Sequence, residues 1–263
     1  MLQQAAPIAY VLFAWWFSTG VILYLVGLPR ATHKWTMAAT TLLLVAGLAA
    51  IARSASDAGH AAAYVGFTGA LAVWAWQEVA FLLGYVTGPR RQACPAQASG
   101  WRRAGLAFQT VLHHEMALLL LGATLVVLTW GQPNRGALAT FAILWCMRQS
   151  AKLNFFLGVR NLNDHFLPAH LAYLQSYFRR RRMNGLFPLS VVAATAATVA
   201  AWQGAFAADL GGAREPAAWL AATLLSLGVL EHWFMVIPLP SHALWNWGLR
   251  SRGDPRAGLP PER

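Results

Sequence analysis

Nine polar residues stand inside otherwise apolar stretches of this chain and could do chemistry together. They are Glu78; His113, His114 and Glu115; Arg148, Lys152 and Asn154; and Glu231 with His232. An ionisable group in such a stretch is costly, and is normally either paired or functional. Three chemistries suit these residue types. The first is an ion-pair network in which Glu78, Glu115 and Glu231 balance Arg148 and Lys152, with the imidazoles as hydrogen-bond partners. The second is a metal or magnesium-tetrapyrrole site built from Glu78, His114, Glu115, Glu231 and His232, since carboxylate and imidazole ligate iron and other divalent metals. The third is a proton or substrate pathway, as in a transporter.

Spacing weighs against the metal site. Helical bundles hold metals with Glu-x-x-His, whose i and i+3 members share a helix face. Here His114–Glu115 and Glu231–His232 are adjacent, so the members of each pair point about 100° apart. No P-loop, dinucleotide fingerprint, Gly-x-Ser-x-Gly or paired Cys-x-x-Cys occurs. Cys94 and Cys146 lack metal-like spacing and read as free thiols.

The elements that must position these residues follow from composition. The chain is 57% hydrophobic and 11% charged, with a mean hydropathy of +0.45. A soluble domain is nearer one-quarter charged, so lipid must serve as solvent here. Seven apolar runs are long enough to span, near 8–28, 35–52, 62–86, 108–130, 137–158, 186–206 and 217–237. The alternating segments of about 10 residues that a β-barrel needs are absent. The expected fold is all-α, a polytopic membrane bundle forming one domain over residues 1–263.

The charge is +11, from 20 Lys plus Arg against 9 acidic residues. In a bundle this excess reads as basic loops facing the cytoplasm and anionic headgroups, and nucleic acid is not an expected partner. The runs leave fifteen basic residues on one side: Arg30, Lys34, Arg90, Arg91, Arg102, Arg103, Arg160, Arg179 to Arg182, Arg250, Arg252, Arg256 and Arg263. The other side holds three, Arg53, Arg135 and Arg214. That bias places the N-terminus outside and the C-terminus in the cytoplasm, an arrangement that requires an odd number of spans. The same topology puts Glu78, His113 to Glu115, Lys152, Glu231 and His232 in the cytoplasmic half, with Arg148 near the middle. Four helices then contribute polar groups at a similar depth.

The loop 87–107 reads as a cytoplasmic turn, with Gly88-Pro89 stopping the third helix. Between the fifth and sixth runs, a polar hinge through His165 leads to Pro168 and an interfacial segment, 167–182. Leu167, Leu171, Leu174 and Phe178 stand at helical spacing, and Arg179 to Arg182 suit both the negative pole of a helix and anionic lipid headgroups.

Several of these stretches occur together in a recognisable order. GPRR (88–91), CP (94–95) and GW (100–101) precede HHE (113–115); KLNFFLGVRNLN (152–163) and FLP-HL-YL-SYF (166–178) follow; MN-LFP-S (183–190) and EHWFM (231–235) complete the set. This pattern, from about Glu78 to Pro240, resembles the PuhE family of photosynthetic-complex assembly proteins of purple phototrophic bacteria. The resemblance is most specific over 152–190. It implies a multi-pass protein of the bacterial cytoplasmic, photosynthetic membrane that supports reaction-centre or light-harvesting subunits or their bacteriochlorophyll supply. Bacteriochlorophyll or a precursor is then a candidate ligand. The resemblance assigns no catalytic residue. The expectation is a non-catalytic assembly factor. The alternatives are a metal-dependent membrane enzyme of tetrapyrrole or other lipid-soluble substrate metabolism and, third, a transporter.

Overall fold

Apolar runs separated by Gly, Pro and Arg form seven long helices in the computed structural model, which describes residues 2–162, 166–210 and 216–252. They are α1 (Leu2–Gly27), α2 (His33–Ser54), α3 (His60–Leu82), α4 (Gly100–Thr129), α5 (Gly136–Leu157), α6 (Leu186–Leu210) and α7 (Pro216–Phe234). A short α8 (Asn246–Leu249) and four 3-10 segments complete the described secondary structure. No strand occurs among the described residues. Arg214, Arg256, Arg263 and hinge residues 163–165 lie outside them.

Six of the seven long helices are long and apolar enough to cross a membrane. The exception is α5, whose second half carries Arg148, Gln149, Ser150, Lys152 and Asn154. It is nevertheless an inner helix, packed on α3, α4, α6 and α7. Its polar residues therefore face protein as well as surroundings.

The most enclosed helix is α3, which touches α1, α2, α4, α5 and α7. One apolar cluster joins Ile51, Val73, Leu118, Leu125 and Phe141 across α2, α3, α4 and α5. A second joins Val11, Phe67, Leu220 and Leu224 across α1, α3 and α7. The α2–α3 crossing is close because glycines face each other there. A Cβ on Gly69 would lie 2.7 Å from Ile51 Cγ1 and 3.0 Å from Gly47 O. Without a water-driven hydrophobic effect between lipid-facing helices, such backbone approach is a main source of packing energy.

Connections meet at two ends. At one, Arg252 donates to Phe166 O (2.8 Å), Arg90 to the Tyr177 hydroxyl (2.6 Å) and Cys94 N to Ser176 Oγ (2.8 Å). The links after α1, α3 and α5 and the C-terminal segment thus gather together, and their arginines with them. At the other end, near Arg53 and Arg135, Asn134 donates to Ser54 O and Ala62 O.

Three sequence expectations need correction. First, α3 stops at Leu82, six residues before Gly88. Gly84 adopts φ 83°, while Tyr85 N–H donates to Ala80 O and Gly84 N–H to Phe81 O, both 2.9 Å. These paired bonds close a helix C-terminus on a left-handed glycine. Second, α4 starts at Gly100, eight residues ahead of the expected 108. Arg102 and Arg103 therefore ride on a helix, and Arg103 is buried. Its guanidinium lies 4.0 Å from the Phe156 ring centre and donates to Phe156 O and Tyr177 O. Third, the segment 167–182 is not an α-helix with a basic C-terminal pole. Ala169–Tyr177 is a 3-10 helix, in which three residues per turn bury Leu171, Leu174 and Tyr177 against the protein. Arg179 to Arg182 lie beyond it, pinned beside the end of α5. Val159 N–H donates to Arg179 O and Arg181 N–H to Val159 O, both at 3.2 Å. Leu167 and Phe178 are partly buried around the same cluster.

Candidate functional site

The polar groups of α5 point, in succession, at four different helices. Arg148 forms an ion pair with Glu78 of α3. Lys152 forms one with Glu115 of α4, whose other oxygen accepts from Gln149 Nε2 at 2.7 Å. Gln149 and Lys152 are three residues apart and share a face, so both reach the same carboxylate. Ser150 Oγ lies 2.8 Å from His232 Nε2 of α7, while His232 Nδ1 lies 2.8 Å from Gly228 O and so donates to it. The other ring nitrogen is then left to accept the Ser150 hydroxyl proton. Asn154, fully buried, donates to Ser190 Oγ of α6 at 3.1 Å.

A second asparagine completes this seam. Asn184 is buried just before α6 and donates to Asn154 Oδ1 and Gly158 O, each at 3.0 Å. Its own Oδ1 accepts from Leu186 N (2.8 Å) and Phe187 N (3.1 Å). It therefore caps the start of α6 and ties it to the end of α5. Gln77 is likewise buried on α3, with Nε2 3.0 Å from His114 Nδ1 and 2.9 Å from His114 O. The sequence reading did not include either residue, because an isolated Asn or Gln near a span end carries no distinctive spacing.

At α4 the backbone takes part too. The stretch after α3 runs back along α4, where His114 N–H donates to Thr87 O at 2.8 Å. Arg90 N–H reaches Gln109 O at 3.4 Å. Irregular backbone at this level is tolerable because it is buried in protein and hydrogen-bonded. His114 itself is buried against Phe81, ring centres 4.6 Å apart, whereas His113 on the next position is exposed.

Glu231 differs from the other two carboxylates. It is exposed, and its Oε1 accepts from Trp15 Nε1 of α1 at 2.7 Å, with no cation in ion-pairing contact among the described residues. The five residues of the metal alternative are thus distributed among separate partners. No group of three or more His, Cys, Asp or Glu stands within metal-binding reach of one another among the described residues. The adjacent spacing of His114–Glu115 and Glu231–His232 produces that separation: the two side chains of each pair leave the helix in different directions and reach different partners. Cys94 and Cys146 are free thiols.

Beyond the seam, Arg179 to Arg182 are all exposed, and Arg180 to Arg182 join Arg160 around an open recess of about 590 Å³.

A family model described as "Protein of unknown function (DUF3623)" matches residues 1–256. The chain belongs to the DUF3623 family. It is also 44% identical over 248 residues to "Uncharacterized 30.4 kDa protein in puhA 5'region" of Rhodobacter capsulatus, covering 93% of this chain and 90% of that one. No solved structure matches. The family match takes in all seven long helices and the whole α5 seam, so every contact described above lies within the shared region.

Proposed function

We propose that this chain is an integral membrane assembly factor of the photosynthetic apparatus, in the family that the stretch 152–190 resembles, PuhE. The observation that carries this reading is the 44% identity, over nine-tenths of its length, to the Rhodobacter capsulatus protein described as lying in the puhA 5' region. In this reading the protein supports reaction-centre or light-harvesting subunits or their bacteriochlorophyll supply, in the bacterial photosynthetic membrane.

The geometry favours a scaffold over an enzyme. Glu78 and Glu115 are engaged with cations, and both buried imidazoles have hydrogen-bond partners. All seven long helices cross the membrane as one domain, α5 being shielded by α3, α4, α6 and α7 and its charges neutralised in place. The gathering of arginines at one end makes that end cytoplasmic, with the N-terminus outside. Arg179 to Arg182 then contact anionic headgroups, each worth roughly 1 kcal/mol near such a surface.

Purification from the photosynthetic membrane in mild detergent tests the proposal, with the pigment spectrum, metal content and co-purified proteins measured on one sample. Antenna or reaction-centre subunits, with or without bacteriochlorophyll and without stoichiometric transition metal, are the expected result. A stoichiometric transition metal with no such subunits would move the assignment to a membrane enzyme.

A further inference from the structure

A second basic recess lies at the same end of the bundle, on residues that the α5 seam does not use. Its cations come from three separate parts of the chain. Arg30 and His33 stand where α1 gives way to α2, Arg91 follows the end of α3, and His170 is on the 3-10 helix Ala169–Tyr177. The cavity is about 290 Å³, and Leu83 and Tyr85 form its apolar edge. Among the described residues, no carboxylate lines it.

Packing holds these groups in place. Arg91 Nη2 donates to Gly84 O at 3.1 Å, and His33 Nε2 lies 3.0 Å from Leu28 O. The left-handed turn at Gly84 sets its α-carbon against the imidazole, where a Cβ would come within 3.2 Å of both Cδ2 and Nε2 of His170. His170 Nε2 is buried without a hydrogen-bond partner. Four groups that are cationic or can become so, gathered around an unsatisfied ring nitrogen with no carboxylate among the described lining residues, repel one another. Such an arrangement is stabilised by an oxyanion, which guanidinium and imidazolium bind through charge-assisted hydrogen bonds.

We propose that this recess binds a single oxyanion of the phosphate or sulfate type, presented by a lipid headgroup or free in solution. The proposal is independent of the assembly role. It also makes binding pH-dependent. Burial, together with the charges of Arg30, His33 and Arg91 facing it, holds the His170 imidazole below its ordinary range, while the Leu82 carbonyl acts in the opposite direction. An oxyanion in the recess favours the protonated ring, so binding takes up a proton and tightens as pH falls.

The test uses the full chain in nanodiscs of zwitterionic lipid. Sulfate, whose charge is constant over the range, is titrated at about pH 5.5 and about pH 7.5 to bracket the ordinary imidazole range. In parallel, native mass spectrometry measures retention of phosphatidylglycerol over phosphatidylcholine. Sulfate binding with displacement of retained phosphatidylglycerol supports one shared site; sulfate alone supports a soluble oxyanion, and phosphatidylglycerol alone a headgroup site. In each case Arg30→Gln with Arg91→Gln, both at exposed positions, should weaken binding about tenfold or more. His170→Gln should remove most of the pH dependence, and Arg53→Gln with Arg135→Gln, exposed at the opposite end of the bundle, should leave binding unchanged. Failure of both ligands to bind overturns the proposal, as does binding that survives loss of Arg30 and Arg91.

Discussion

Glu115 and Glu231 are both carboxylates on long apolar helices, each beside a histidine in sequence, yet they sit in opposite situations. Glu115 is largely enclosed and is shared by Lys152 and Gln149 from one face of α5. Glu231 is exposed and rests on an indole N–H. Glu78, enclosed and paired with Arg148, resembles Glu115. The difference separates two uses of charge in a membrane protein. A paired carboxylate is balanced by a cation of a second helix, whereas Glu231 rests on a neutral indole N–H of a second helix.

The largest expected effect comes from breaking the better-enclosed pair. Glu115→Gln leaves the Lys152 ammonium, with 26% of its side chain exposed, short of its counter-charge. Stability should fall by about 3 kcal/mol, the lower end of the range for an orphaned buried charge, since water defects soften the penalty in a bilayer. Reduced accumulation in the membrane and a lower detergent unfolding temperature are the readouts. Glu78→Gln should cost less, because the long Arg148 side chain, 37% exposed, can snorkel toward the interface. An equal loss for the two would show that exposure does not distinguish them.

A smaller effect is expected at the neutral end of the seam. Asn184→Ala removes the donor to Asn154 O, Asn154 Oδ1 and Gly158 O together with the cap of α6, and should cost about 1–3 kcal/mol. Limited proteolysis near 183–190 should accelerate, while the α3–α4–α5 contacts persist. If the whole bundle unfolds with the same midpoint as Glu115→Gln, the seam is one cooperative unit and the two regions are not separable.

The smallest effect on stability belongs to Glu231. A glutamine there still accepts from Trp15 Nε1, so Glu231→Gln should leave stability within about 0.5 kcal/mol. The amount of assembled photosynthetic complex should fall nonetheless, measured beside the level of the protein itself. A Glu231→Gln chain that disappears from the membrane as Glu115→Gln does would erase the contrast between them.

These contrasts were only partly legible in the sequence. Hydropathy located all seven helices, α5 included, because apolar residues outnumber polar ones even there. The polar residues also declared themselves, since Glu, Lys and Arg inside apolar runs stand out by type. Their partners did not. That Glu115 meets Lys152 while Glu231 meets Trp15 depends on the relative rotation and register of α1, α4, α5 and α7, which one-dimensional spacing does not encode. Helix ends were obscured for a local reason: Arg102 and Arg103 look like loop, but Arg103 buries its guanidinium on Phe156 and two carbonyls, so α4 extends through them. The 3-10 helix was missed because Leu171, Leu174 and Phe178 fit an α-helical stripe. Burial instead follows Leu171, Leu174 and Tyr177, a period of three.

The claim that α5 locks the bundle through paired charge is tested most directly by a double-mutant cycle. Glu115→Gln, Lys152→Met and the two combined would be compared for unfolding temperature, protein level and photosynthetic-complex level. Each single change should lower all three. The double variant, which removes both charges, should recover most of the lost stability, a coupling of about 1–3 kcal/mol. Complex levels should then follow protein levels throughout. A Glu115→Gln protein that is folded and normally abundant yet fails to support complex formation, with no rescue by Lys152→Met, would contradict the account and make Glu115 a residue of the function itself.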